Sequence, residues 1–330
     1  MGFWENNKLG YNIVRILLSI TGINGNLLVI LVIRKIRPMR PVTKYYITSL
    51  AVADLLASVF FLPYPYGEVP SGIGGEILCR LWYSDAILYY FFAASTYNLV
   101  LVTLERYWAI IYPVKHLTMF TEQKAKLSLT LLWILTLILE FFTVFLNDYQ
   151  DGVCILEWPT GAALILLGIW IFLSEYALPL VIMFVAYYRI LRYLRERNRS
   201  MQNGSQNGIA SAFVRAKVHV VKMLYVVTVL FGLLWAPNHI THLLFTFGVQ
   251  NPYEEAREVV ILIGFCNSCV NPFVYGFSNP LFRKTLKRMV SCVSLKSPSV
   301  EPGRTQNGQQ NQQHPRVSRI SENAQEMSML

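Results

Sequence analysis

Seven stretches of the chain are almost entirely apolar, and shorter segments that carry charged residues separate them. A helix needs about 20 apolar residues to cross the hydrocarbon core of a bilayer. The pattern therefore predicts seven membrane-spanning helices, at residues 12–34, 43–66, 80–108, 127–146, 162–190, 217–247 and 257–277. Pro179 and Pro237 fall inside the fifth and sixth segments and predict kinks, because neighbouring groups in a bundle can satisfy the carbonyl that a proline frees.

The segment after the seventh stretch alternates apolar and basic residues. Between residues 280 and 290, Leu281, Phe282, Leu286 and Met289 are interspersed with lysines and arginines. This pattern is typical of a helix that lies on an anionic membrane surface. It predicts contact with membrane lipid, and Cys292 at its end is a candidate palmitoylation site.

These patterns predict an all-α membrane protein, a seven-transmembrane helix bundle with an amphipathic cytoplasmic eighth helix. The predicted parts are an extracellular N-terminus (1–11), the bundle (12–278), the membrane-surface helix (279–292) and a cytoplasmic tail (293–330). The tail is rich in Ser, Pro, Asn and Gln, which predicts disorder. Its last residues, Ser328 to Leu330, form a short motif that could bind a PDZ protein.

The composition supports a membrane protein, because 54% of the residues are hydrophobic and 15% are charged. A net charge of +10 would suit nucleic acid if it formed one patch, but the basic residues cluster in alternate connections between apolar stretches. The positive-inside rule makes those connections cytoplasmic. We therefore predict a multi-pass plasma-membrane protein with an extracellular N-terminus, a cytoplasmic C-terminus and no nucleic-acid partner.

Two of the five cysteines, Cys79 and Cys154, fall on the predicted extracellular side. A disulfide between them would fix the second outer loop over the bundle and would contribute about 2–4 kcal/mol. The five histidines show no spacing typical of a metal site, which argues against a metalloenzyme.

Several polar residues fall at membrane depth, where each needs a partner or a function. The second segment contains a lone carboxylate, Asp54. Residues at similar depth in the third and seventh segments are Ser95, Asn267, Ser268 and Asn271. Together they predict either a hydrated site for a sodium ion (Na+) or a proton, or a purely structural hydrogen-bond network.

Short motifs occur in order along the predicted helices. They are Gly25-Asn26, the Leu-Ala-Val-Ala-Asp run that ends at Asp54, Cys79, Glu105-Arg106-Tyr107, Trp133, Pro179 with Tyr187, Phe231-x-x-x-Trp235-x-Pro237, Asn271-Pro272-x-x-Tyr275 and the helix that contains Phe282. An arginine at a helix end can be a simple interfacial anchor. As a set, however, these motifs resemble the rhodopsin-like (class A) G-protein-coupled receptors over residues 10–292.

The resemblance implies a signalling mechanism and its partners. Arg106 would be held near Glu105 at rest and released toward Tyr187 and Tyr275 as the sixth helix swings outward. Tyr107 completes the switch motif. Phe231, Trp235, Pro237 and Pro272 would form the toggle and hinges, and Asp54 would bind sodium. A heterotrimeric G protein, and later arrestin, would occupy the cytoplasmic side, with receptor kinases acting on the tail.

The sequence is less clear about the ligand. The interval from Cys79 to Arg106 is two residues longer than is usual in the family. The position of the amine-binding aspartate therefore falls on Leu88 when counted back from Arg106 and on Ala86 when counted forward from Cys79. Asp85 matches neither. Above the toggle, Asn238 and His239 resemble peptide receptors. The candidate ligand-binding residues are Asp85, Leu88, Tyr89, Glu175, Asn238, His239 and His242. We favour a small peptide over a biogenic amine.

Two other classes of membrane protein fit the sequence less well. A transporter would show inverted repeats, which this chain lacks. A membrane enzyme would show clustered catalytic residues, and none are apparent. We therefore predict a receptor that is not an enzyme.

Overall fold

A computed structural model describes residues 8–37, 39–63, 69–150, 153–203, 208–249 and 252–294. Most of these residues are helical, and one short hairpin lies between the fourth and fifth membrane segments. The elements are α1 (Lys8–Lys35), α2 (Pro41–Phe60), α3 (Ile73–Leu78), α4 (Ala86–Ile111), α5 (Pro113–Met119), α6 (Glu122–Glu140), β1 (Asn147–Gln150), β2 (Val153–Leu156), α7 (Ala162–Ile171), α8 (Leu178–Asn203), α9 (Gly208–Thr246), α10 (Pro252–Ser278) and α11 (Pro280–Ser294).

Within the described ranges, six helical segments are long and apolar enough to cross a membrane. They are Leu9–Lys35, Ile73–Ile111, Glu122–Phe145, Ala162–Arg197, Leu224–Thr246 and Ala256–Ser278. Helix α2 is the seventh predicted span, and it is less apolar because it carries Thr43, Lys44 and Asp54. It nevertheless packs between α1 and α4 as a full member of the bundle.

The second helix ends earlier than the sequence pattern predicted. It stops at Phe60 rather than near residue 66. The reason is Pro63, which disfavours helical backbone at the residue before it. Apolar character continues past this point, so hydropathy alone overestimated the length of the helix.

The third segment is interrupted near its start, within the interval from Cys79 to Arg106 that is two residues longer than usual. Helix α3 leads into a π-helical turn, Cys79–Tyr83, and α4 starts only at Ala86. Between them Asp85 adopts a left-handed conformation with φ 57°. A π-turn accommodates an extra residue within a helix, and the left-handed residue changes the direction of the chain. The two additional residues are therefore accommodated before the first residue of α4.

The predicted disulfide is present and joins Cys79 to Cys154. Cys154 lies in β2, where it pairs with Tyr149 of the antiparallel partner β1. A salt bridge of 3.0 Å between Arg80 Nη2 and Asp148 Oδ1 makes a second connection to the same hairpin. The hairpin is thereby fixed against the outer end of the third segment.

Helix α4 occupies the centre of the bundle and contacts α2, α6, α8 and α9. Helix α10 closes the bundle by packing against both α1 and α9. Large apolar side chains on α6, including Leu131, Ile134 and Ile138, are instead exposed on the outer surface. That distribution is expected of a helix whose outer face contacts lipid.

Helix α11 follows α10 directly and matches the predicted membrane-surface helix. The Asn279 side chain accepts hydrogen bonds of 3.0 Å from the backbone N–H groups of Leu281 and Phe282 and so caps the helix. Phe282 is buried in the core, and Leu286 packs beside it. The Cys292 side chain and the motif at Ser328–Leu330 lie outside the described residues.

Candidate functional site

Near the C-terminal end of α4, Glu105 and Arg106 form an ion pair. The Arg106 Nε atom lies 3.0 Å from Glu105 Oε2, and the side chains are 19% and 2% exposed. The other carboxylate oxygen, Oε1, accepts a 3.0 Å hydrogen bond from Thr43 Oγ1 of α2. Glu105 is therefore held by two helices while it restrains Arg106.

A third group, His116 of α5, also contacts Glu105. Its Nε2 atom lies 3.2 Å from Glu105 Oε1, and its Nδ1 atom lies 2.6 Å from Arg40 Nη1. Arginine only donates hydrogen bonds, so His116 Nδ1 accepts and Nε2 carries the proton that is donated to Glu105. A directed chain of hydrogen bonds therefore runs from Arg40, which precedes α2, to Glu105.

Loss of this chain is expected to raise activity in the absence of ligand. His116→Phe keeps the ring that packs on Phe120 at 4.8 Å but removes the bond to Glu105. A hydrogen bond to a charged group is worth about 1.5–3 kcal/mol, so basal G-protein activation should rise by about tenfold or more. The measurement is basal nucleotide exchange per surface receptor. Val114→Ala, an exposed position on the same helix, is the control, and equal basal rates in both variants would contradict the expectation.

The two predicted switch tyrosines, Tyr187 and Tyr275, are both buried in the core of the bundle. The Tyr187 hydroxyl lies 3.0 Å from Thr103 Oγ1. The Tyr275 hydroxyl is buried and has no hydrogen-bond partner among the described residues. Tyr107 lies to the side of this group, with its ring edge-on to Trp108. The Tyr275 hydroxyl is therefore available for a new contact if the arginine moves.

Asp54 lies at the centre of a buried polar cluster. Its carboxylate accepts hydrogen bonds from Ser95 Oγ at 2.6 Å and from Asn271 Nδ2 at 2.8 Å. Asn267 and Ser268 are also buried in this part of α10, but in the described structure Asn267 makes no hydrogen bond to Asp54. The side-chain carbonyl oxygen of Asn271 is buried there without a partner in the described part of the chain.

The Gly25-Asn26 motif supports the proline of α10. A Cβ atom on Gly25 would lie 2.8 Å from Pro272 Cγ, so only glycine allows this approach of the two helices. Pro272 lacks the N–H that would bond to the carbonyl of Ser268. Asn26 Nδ2 donates to that carbonyl instead, at 3.0 Å. The predicted hinge at Pro272 is thus stabilised from α1.

Trp235 packs at the middle of the bundle. Its ring lies edge-on to Phe92 of α4, with centroids 5.0 Å apart, and against Gly264 of α10, where a Cβ atom would lie 2.8 Å from the indole. Phe231 lies one turn below, and Pro237 interrupts the hydrogen bonding of α9 just above. A displacement of Trp235 would therefore be transmitted to both α4 and α10.

Above Trp235 a cavity of about 620 Å³, including its opening to solvent, lies beneath the β-hairpin. His239 joins the cavity to the toggle, because its ring lies 5.7 Å from Trp235 and stacks on Tyr176 at 5.1 Å. The structure brings five of the predicted ligand-binding residues to this cavity, namely Tyr89, Glu175, Asn238, His239 and His242.

The other two predicted ligand-binding residues, Asp85 and Leu88, do not line this cavity. They face a separate, smaller cleft beside Phe60 and Trp82. The physical reason is the left-handed conformation of Asp85, which changes the direction of the chain just before α4. The match to an amine-binding aspartate, which the sequence left open, is therefore not supported by this arrangement.

Sequence reasoning missed two parts of the site. His116 and Thr43 contact Glu105 from separate helices, and no local pattern links them to the switch. Glu140 is an acidic residue near the end of the fourth predicted span, but its place in the cavity beside Glu175 becomes visible only in the fold.

Comparison with known proteins agrees with this geometry. Residues 25–275 match the family described as 7 transmembrane receptor (rhodopsin family). The chain is 31% identical to galanin receptor 2a of Danio rerio, over 88% of this chain and 80% of that receptor. It is 28% identical to the pyroglutamylated RF-amide peptide receptor of Mus musculus (90% and 74%) and 27% identical to the allatostatin-A receptor of Bombyx mori (83% and 78%). The chain belongs to the rhodopsin family of seven-transmembrane receptors.

Proposed function

We propose that this chain is a plasma-membrane receptor that binds an extracellular peptide in the outer cavity and activates heterotrimeric G proteins. Its N-terminus would be extracellular and its C-terminus cytoplasmic, as the basic connections indicate. The observation that carries the proposal is the cavity above Trp235, whose wall contains buried polar groups. The ion pair of Glu105 and Arg106 lies at the other end of the same bundle.

The contacts suggest how the ligand signal would cross the membrane. A ligand group against His239 would press on Trp235, which packs on Phe92. Because Pro237 weakens α9 at this level, the cytoplasmic half of α9 would pivot outward. Arg106 would then leave Glu105 and turn toward Tyr187 and Tyr275, opening the cytoplasmic surface for a G protein.

A peptide is preferred to an amine for two reasons. The only acids lining the cavity in the described structure are Glu140 and Glu175, whereas Asp85 faces a different cleft. The relatives reported above are named for peptides: galanin, RF-amide peptide and allatostatin-A.

The polar cluster at Asp54 would hold a sodium ion in the inactive receptor. The ligand atoms are all oxygens, from Asp54, Ser95 and the unpartnered side-chain carbonyl of Asn271. Oxygen donors are the ligands that hard cations prefer, so the residues fit the ion. When bound, the ion would supply positive charge to the Asp54 carboxylate.

Other partners follow from the parts outside the bundle. Helix α11 would lie on membrane lipid, with Cys292 as a palmitoylation site. The cytoplasmic tail would be the substrate of receptor kinases and the binding site of arrestin. Its final residues, Ser328–Leu330, would bind a PDZ protein.

A ligand panel tests the proposal. Cells that express the chain and a G-protein dissociation reporter would be exposed to galanin, RF-amide and allatostatin-A peptides and to biogenic amines. We expect a saturable response to at least one peptide and none to the amines. Activation by an amine, without a response to any peptide, would contradict the proposal.

A further inference from the structure

Two carboxylic acids meet in the wall of the outer cavity. Glu140 is the last residue of α6, and Glu175 lies in the π-helical turn Phe172–Ala177 before Pro179. The two side chains are close enough to share a hydrogen bond. Glu140 is 3% exposed, and its Oε1 atom has no hydrogen-bond partner among the described residues.

The same cavity holds two further polar atoms whose hydrogen bonds are unmade. Asn238 Oδ1 and His239 Nδ1 belong to side chains that are 8% and 5% exposed, and neither has a partner in the described part of the chain. Leaving a buried polar atom without a partner costs about 1–3 kcal/mol. Three such atoms around one cavity indicate that a ligand supplies the missing partners.

The kinds of atoms present determine which ligand group fits. Glu140 and Glu175 present carboxyl oxygens, and Asn238 adds a carbonyl oxygen, so the wall consists mainly of acceptors. A guanidinium group carries five N–H donors and a positive charge, and it binds carboxylates with two parallel hydrogen bonds. Arg257 also lines the cavity, near His242.

We propose that Glu140 and Glu175 form a subsite for a guanidinium group, the side chain of an arginine in the peptide ligand. This inference rests on the proposed function and specifies one residue of the ligand. A hydrogen bond between two carboxyl groups requires a proton on one of them. When the guanidinium enters, its N–H donors replace that bond, and the proton is released to water.

A purely structural role predicts a different behaviour. In that case the two acids would only connect α6 to the fifth segment, and a cation would have no effect on the protein. The subsite proposal instead predicts that a small guanidinium compound stabilises the receptor, because a ligand that binds only the folded state raises its stability.

The test uses the purified full chain in lipid nanodiscs and two amides, L-argininamide and L-citrullinamide, which differ in that an uncharged urea group replaces the guanidinium in the second. We expect L-argininamide to raise the midpoint of thermal unfolding, with a half-saturating concentration at least tenfold lower than that of L-citrullinamide. Glu140→Gln and Glu175→Gln should each weaken this effect at least tenfold. Glu157→Gln removes an exposed acid of the outer loop and should leave the effect unchanged.

Equal shifts from the two amides on the unmodified chain, including no shift from either, would overturn the subsite. An undiminished L-argininamide effect in the Glu140→Gln and Glu175→Gln variants would overturn it too. The first comparison needs no variant, so misfolding of a variant cannot obscure the result. The unfolding test involves no G protein. If L-argininamide had no specific effect but the receptor responded to a peptide, the subsite alone would be rejected. If L-argininamide acted as expected but no peptide activated the receptor, the proposed function would be rejected.

Discussion

Replacing Arg106 with alanine is expected to reduce G-protein activation to the level of cells that lack the receptor. Among the described residues, Glu105 forms an ion pair with Arg106 and accepts a hydrogen bond from His116. The alanine variant loses the group that would engage the G protein once α9 has moved. Thr43 and His116 still donate hydrogen bonds to Glu105 in this variant, and normalisation to surface receptor accounts for any loss of folded protein.

The measurement is guanine-nucleotide exchange in membranes, normalised to surface receptor, with a decrease of at least tenfold expected. Arg192→Ala is the matched control. That arginine lies on α8 and forms an exposed i,i+4 pair with Glu196 at 2.9 Å, a type of pair worth about 0.3–0.5 kcal/mol. Unchanged exchange in the Arg106 variant would show that Arg106 is only an interfacial anchor.

Asp54→Asn is expected to abolish the stabilisation of the receptor by sodium. Asparagine keeps a side chain of the same shape between Ser95 and Asn271 but removes the negative charge that would attract the ion. At a sodium concentration tenfold above the dissociation constant, binding would stabilise the folded receptor by about 1.4 kcal/mol. An increase of about 2–4 °C in the unfolding midpoint would follow for a protein of this size.

The experiment compares the unfolding midpoint of purified receptor in sodium chloride with that in choline chloride. Thr21→Ala is the control, because Thr21 bonds only to the Leu17 carbonyl of its own helix. It should retain the full sodium effect. If the Asp54→Asn variant responded to sodium as the unmodified chain does, the cluster would be a structural hydrogen-bond network, the alternative that the sequence left open.

The sequence was sufficient for features that depend on one helix or on one side of the membrane. Hydropathy gave the spans, and the depth of Asp54, Ser95 and Asn271 within their segments predicted a cluster that the structure brings together. The pairing of Cys79 with Cys154 followed from the side on which each lies. Each of these predictions used only the hydropathy of a segment and the position of a residue along it.

Features that depend on backbone irregularity were not predictable in this way. The two surplus residues of the third segment are absorbed by a π-turn and by Asp85 in a left-handed conformation. Both conformations are compatible with an ordinary apolar pattern, so periodicity carries no sign of them. Asp85 was consequently placed near a pocket that it does not line.

Contacts between distant segments were equally inaccessible. His116 lies in a short connection, and its contacts with Arg40 and Glu105 depend on how three elements pack. Glu140 and Glu175 each fall within a predicted span, but their meeting in one cavity wall depends on how distant segments assemble. These contacts supply the finest detail of the site.

The central claim is that Glu105 restrains Arg106 in the resting receptor and that the released arginine activates a G protein. Basal nucleotide exchange of Glu105→Gln, compared with that of the double variant Glu105→Gln/Arg106→Ala, tests it without any ligand. Removing the Glu105 charge weakens a buried ion pair of 3.0 Å, so we predict that Glu105→Gln raises basal exchange several-fold and that the double variant abolishes the rise. A double variant as active as Glu105→Gln alone would contradict the account.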